Sequence, residues 1–157
     1  MGFDLIGKRI DNSHTSDAEF VFPVSIIING VGYDSLDDYL ESRGLPKNSI
    51  KFSCSNRNWH TIWQYVQYAN ELVNEEFKFK GNEYDFEAGE SNSGHFISEE
   101  KAISLHDCCK NGMECSYFDQ YIEDECTWAT KDDEKTILEM IERFMVFCKE
   151  SQGFIII

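Results

Sequence analysis

Proline is nearly missing from this 157-residue chain, with only Pro23 and Pro46 present. No Gly/Ser-rich linker, repeat or low-complexity tract divides it. Those absences argue against a string of modules, and the length suits one domain over residues 1–157 with one continuous core. Basic residues are also scarce: 14 Lys and Arg face 29 Asp and Glu, a formal net charge of −15. A field of that sign repels phosphate, so it argues against direct nucleic-acid binding. It favours basic partners, including nucleic-acid-binding proteins whose groove normally holds phosphate; the plainer role of such charge is solubility.

Long hydrophobic runs are lacking too. The Val24–Ile28 stretch falls far short of the roughly 20 residues that a membrane-spanning helix needs. The segment from Met1 to Gly7 is too short for a secretory leader and contains Asp4. Gly2 is followed by Phe3-Asp4-Leu5-Ile6, without the Ser or Thr of a myristoylation site. The expectation is a cytoplasmic protein with no membrane association. Six cysteines are present (Cys54, Cys108, Cys109, Cys115, Cys126 and Cys148) but no C-x-x-C pair, so they read as reduced thiols, with no metal expected. No Asp-x-Asp-x-Asp-Gly loop is present, which excludes a calcium hand.

What is present is apolar: 41% hydrophobic and 14% aromatic residues, enough for a core and too much for a disordered acidic tail. Gly2 to Ile6 and Phe20 to Ile28 read as strands, the second with Pro23 at an edge or bulge. Asn29-Gly30 signals a hairpin turn. Ser35 to Arg43 carries a capping signal and Gly44 beyond it. Trp59 to Val73 is the clearest helix, with Trp59, Ile62, Trp63, Val66, Ala69 and Val73 on one stripe. Glu76 to Phe86 alternates like a hairpin. Ser98 caps a helix that runs to about Lys110, with Gly112 after it. Glu114 to Thr130 is ambiguous. A last helix opens at Asp132 and carries Ile137, Ile141, Phe144, Met145 and Cys148. Gly153 stops it, and Phe154 to Ile157 forms a strand that must be paired, because an exposed apolar edge invites aggregation. Its expected partner is the Gly2–Ile6 or the Phe20–Ile28 strand.

Several groupings could carry chemistry. His106, Cys108, Cys109, Cys115 and Cys126 lie close in sequence, but adjacent cysteines on a helix diverge, and the ordinary role of a free cysteine is that of a small buried hydrophobe. Cys54 with His60 or His95 has the residue types of nucleophilic catalysis, without a local sign of activation. Asn92, Gly94 and His95 form a small polar loop leading to a helix, a place where anions can bind; such a loop can equally be only a connection. The carboxylates form two groups. One comprises Glu71, Glu75, Glu76, Glu83, Asp85, Glu87 and Glu90. The other comprises Asp119, Glu123, Asp124 and Glu125, followed by Asp132, Asp133 and Glu134. Spread over one face, they could imitate duplex phosphates, which carry one charge per roughly 1.7 Å of axis; otherwise they are a solvated surface. Tyr117, Phe118 and Tyr121 stand beside the second group as candidate aromatic anchors.

Four segments in order resemble a family of small uncharacterised bacteriophage and prophage proteins. They are Met1-Gly2-Phe3-Asp4-Leu5 with Gly7; Phe52, Trp59, Trp63, Tyr65 and Val66; Asn92, Gly94, His95 and Ile97; and Phe144 to Phe147 with Gly153-Phe154-Ile155. They cover about half the chain. The departures are specific. Of the family's three consecutive tryptophans only Trp59 remains, after Arg57-Asn58; Ser93 replaces an Asp; the zinc-knuckle cysteine pairs are absent; and Ser13 to Ile50 is an extra block. The resemblance implies an origin and a fold outline, but no reaction.

The reading is therefore an α+β fold, a small and mainly antiparallel sheet with two or three helices packed on one face. The leading function is a non-enzymatic, phage-type accessory protein. It would bind and inhibit a host protein with a basic surface, in its most specific form as an acidic anti-CRISPR or other anti-defence protein. No cofactor is implied. Two alternatives come from other classes: a small enzyme or nucleotide-binding protein using the His95 loop, and an acidic immunity protein neutralising a basic toxin.

Overall fold

The computed structural model describes residues 2–10, 26–28, 31–33, 38, 41–42, 44, 49–72, 89–90 and 94–157. Among them lie strands β1 (Gly2–Ile10), β2 (Ile26–Ile28), β3 (Val31–Tyr33), β4 (Ser49–Ser55), β5 (His95–Ile97) and β6 (Phe154–Ile156). The helices are α1 (Asn56–Leu72), α2 (Glu99–Glu114), α3 (Tyr117–Glu125) and α4 (Lys131–Glu150). A four-stranded antiparallel sheet has the order β4-β1-β6-β5, and β2 pairs with β3 in a separate hairpin. The fold is α+β.

The pleat explains the sheet's helix-facing side. Leu5 pairs with Phe52 on one flank and Ile156 on the other, and Gly7 pairs with Phe154. Phe3, Leu5, Ile50, Phe52, Phe154 and Ile156 therefore share one face and join the main core. Ile6 and Ile155 pair on the opposite face and are buried as well, as is Ile157. The terminal strand thus finds the partner expected for it in β1, and its other neighbour is β5. That assignment corrects the reading of His95 as a loop residue: His95, Phe96 and Ile97 form an edge strand, opposite Ile156, Ile155 and Phe154.

The helices assemble by their apolar stripes. α1 and α4 lie against the sheet, α2 packs on both, and α3 packs on α1 and α2. α1 starts earlier than its apolar stripe, because the Ser55 hydroxyl accepts from the Asn58 N–H at 3.2 Å and caps the first turn. The Ser98 hydroxyl likewise accepts from the Lys101 N–H. α2 runs past Lys110 to Glu114, and Gly112 sits inside it rather than ending it. A Cβ there would lie 2.7 Å from the Tyr65 hydroxyl oxygen, so glycine is what lets α1 and α2 approach. The ambiguous segment resolves into α3, with Ser116 in the left-handed region at φ 62° before it.

Aromatic rings organise the centre. Phe3 stacks on Trp59 and Trp59 on Trp63, each with centroids 5.3 Å apart, and Phe144 meets Trp59 edge-on at 5.5 Å. Trp63 is buried, at 3% exposure, but the indole found against Phe144 is that of Trp59. Ile28 lies opposite Val31, and the Asn29-Gly30 turn signal lies outside the described residues. Asp38, Glu41 and Ser42 are helical, and Gly44 follows at φ 66°, donating its N–H to the Glu41 carbonyl. The rest of the Ser35–Arg43 helix, the Glu76–Phe86 alternation, Val73 and Phe20 to Ser25 lie outside the described residues. Among the described residues no helix is long and apolar enough to cross a membrane.

Candidate partner-binding surface

α3 is nine residues long, with four acids and no base. Tyr121 and Ile122 are buried and Phe118 is half-buried against the core. Positions 118, 121 and 122 are spaced by three and four, so they occupy one helical face. That orientation leaves Asp119, Glu123 and Asp124 exposed, and Glu125, in phase with the buried positions, is exposed as the last residue of the helix. From Tyr117 to Glu134, Asp119, Glu123, Asp124, Glu125, Asp132, Asp133 and Glu134 are set against Lys131 alone.

Their neighbours fix this surface in space. The Tyr68 hydroxyl, on α1, donates to Asp124 Oδ2 at 2.7 Å. That hydrogen bond, reinforced by the charges of Asp124, Glu125 and Glu123, pushes the phenol up to about 12. Lys131 Nζ meets Glu134 Oε2 at 2.8 Å, and its ammonium is favoured first by that contact and further by the charges of Asp119 and Glu123. The start of α4 and the outer face of α3 are thus electrostatic neighbours. Asp133 is used locally: with Thr130 it forms a reciprocal capping box, and the Thr130 backbone and hydroxyl, then Arg57, hold its carboxyl below the usual range.

The aromatic candidates divide. Tyr121 is wholly buried and donates its hydroxyl to the Thr61 carbonyl at 3.0 Å, so it is a core residue and not an anchor. Phe118 packs edge-on against Tyr65, and Tyr117 is half-buried. The exposed aromatic of this region is Trp128, in the turn between α3 and α4, half-exposed with the Arg57 guanidinium 4.8 Å from its ring centroid. Sequence reasoning passed over it because it lies inside the ambiguous segment; its place between two strongly acidic stretches was the available signal.

The structure also places residues of the alternative sites. His95 is exposed on edge strand β5, Trp59 is buried, and Asn92 lies outside the described residues. Gly94, at φ 83°, donates its N–H to the Ile156 carbonyl and so belongs to the sheet edge. Two open grooves flank α4, one towards α2 and including His106 and Met145, the other towards β4 and including Ile50 and Phe52. Neither is lined by His95 or Trp59. Burial, then the Asp4 charge, pushes the Cys54 thiol up to about 12, the reverse of an activated nucleophile. All six cysteines are free thiols. Cys108 and Cys109 are buried in α2, where burial raises both thiols. Among the described residues no group of three or more His, Cys, Asp or Glu is placed to hold a metal ion. Of the earlier acidic group, Glu71 and Glu90 are described, and both are exposed.

Comparison with protein families, curated proteins and solved structures finds no match in any of the three.

Proposed function

We propose that this chain is a non-enzymatic accessory protein whose acidic face docks on a basic surface of another protein, one that otherwise holds phosphate. In its most specific form it is a phage-type inhibitor of a host defence or nucleic-acid-processing complex, of the anti-CRISPR kind. One observation carries the reading. From Tyr117 to Glu134 the chain carries seven carboxylates and one lysine, and five of them, Asp119, Glu123, Asp124, Glu125 and Asp132, are exposed. The resemblance to small phage proteins supports the origin, and the net charge of −15 supports the sign of the partner.

Capture from a bacterial lysate at low and high salt, followed by mass spectrometry, tests the reading. The expected prey are basic nucleic-acid-binding proteins, released by salt and by added DNA. Charge reversal of Glu123, Asp124 and Glu125 to Lys should slow association with that prey about tenfold or more, with an unchanged circular dichroism spectrum. Tight binding indifferent to salt, to DNA and to the reversal would overturn the electrostatic mechanism.

A further inference from the structure

The three tryptophans differ sharply in surroundings. Trp59 and Trp63 are buried, whereas Trp128 keeps 50% of its surface in solvent. One side of this exposed indole already carries a guanidinium, that of Arg57. The same Arg57 charge acts on Asp133. The molecule therefore shows, with its own residues, that this aromatic face can hold a guanidinium. Glu125 and Asp132 stand on either side of Trp128 in sequence, both exposed, neither ion-paired with another described residue.

We propose that Trp128 is the aromatic anchor of the docking surface and that its exposed side receives an arginine of the partner. The partner class is then a protein presenting an arginine-rich segment, not merely a basic one. This inference rests on the electrostatic reading above and sharpens it. Guanidinium is planar and weakly hydrated, so it stacks on an indole while pairing bidentately with carboxylates. A lysine ammonium holds its water more firmly and gains chiefly from charge. The acidic face alone would treat the two alike; an aromatic anchor would not.

Oligo-arginine and oligo-lysine peptides of equal length are the probes, titrated at low salt. Binding is followed by calorimetry and by the fluorescence of Trp128, the one exposed indole. The wild-type chain should bind the arginine peptide about fivefold to tenfold more tightly, with a change in the exposed-indole emission. Trp128→Ala should abolish that preference while leaving the charge-driven binding of both peptides, and Trp128→Tyr should retain part of it. Equal affinities in the wild type, or an unchanged preference in Trp128→Ala, would overturn the role of Trp128 and leave the electrostatic reading standing. If neither peptide binds, both the anchor and the electrostatic reading fall.

Discussion

Gly89 closes the aromatic stack at the centre of the protein. Its carbonyl accepts the Trp59 indole N–H at 2.6 Å, and a Cβ built on it would lie 1.9 Å from the Trp63 ring. The indole pair is therefore fitted against backbone, with no slack for a methyl group. Trp63→Ala should destabilise by about 3–5 kcal/mol through lost burial and the cavity left behind, enough to unfold a marginal domain. Gly89→Ala should also destabilise, by overpacking. Denaturant midpoints within error of the parent for both variants would refute this packing. Asp4 is a second residue with a readable consequence. It accepts from the Ser53 hydroxyl across the β1–β4 pair, yet burial outweighs that bond and the Lys51 charge and raises its carboxyl above 3.8. The folded state thus favours the protonated acid. That contribution is fully present below 3.8 and is lost as pH rises through the raised folded value. Asp4→Asn, which keeps an acceptor for Ser53, should raise the melting temperature at neutral pH and give no gain in strong acid. A lower melting temperature at neutral pH would show that the charge is needed.

At the scale of elements, α4 has the most explicit start signal. Thr130 and Asp133 exchange side-chain and backbone hydrogen bonds at 3.3 and 2.9 Å. Thr130→Ala should therefore cost about 1 kcal/mol and lower the melting temperature by a few degrees, whereas Thr130→Ser should be nearly silent. Equal losses in the two would point to the methyl group and not the cap. Legibility in the sequence followed length. α1 and α4, with 17 and 20 residues, repeat their apolar stripe often enough to be read directly. α3 is below the length at which a helix is stable alone, and it is held by the burial of Tyr121 and Ile122. Without its phase, Tyr121 looked like a surface aromatic among acids. β4, Ser-Ile-Lys-Phe-Ser-Cys-Ser, alternates correctly but spends every other position on Ser or Lys, and three-residue β5 carries too little pattern to announce a strand. The acids of the candidate surface were legible as composition; their exposure became visible only with the fold of α3.

At the scale of the whole molecule, the net charge of −15 acts on the fold and on the partner with opposite signs. Within the chain, 29 acids share 14 lysines and arginines. The helix ion pairs Lys110–Glu114, Lys131–Glu134 and Lys135–Glu139 are solvent-facing, so water and salt screen them and each adds little to stability. Self-repulsion among the excess carboxylates is longer in range and uncompensated, and it opposes the compact state. Salt at physiological strength shortens the reach of a charge to about 8 Å. It weakens both effects, but repulsion has more to lose. The melting temperature should therefore rise as sodium chloride is added, while affinity for a basic partner falls over the same range. The two titrations together test whether the charge is organised for binding. If melting temperature and affinity fell together, the surface pairs would matter more to the fold than the excess charge does. If affinity held constant while the melting temperature rose, the acids would serve solubility, and Trp128 would be left to carry the interface.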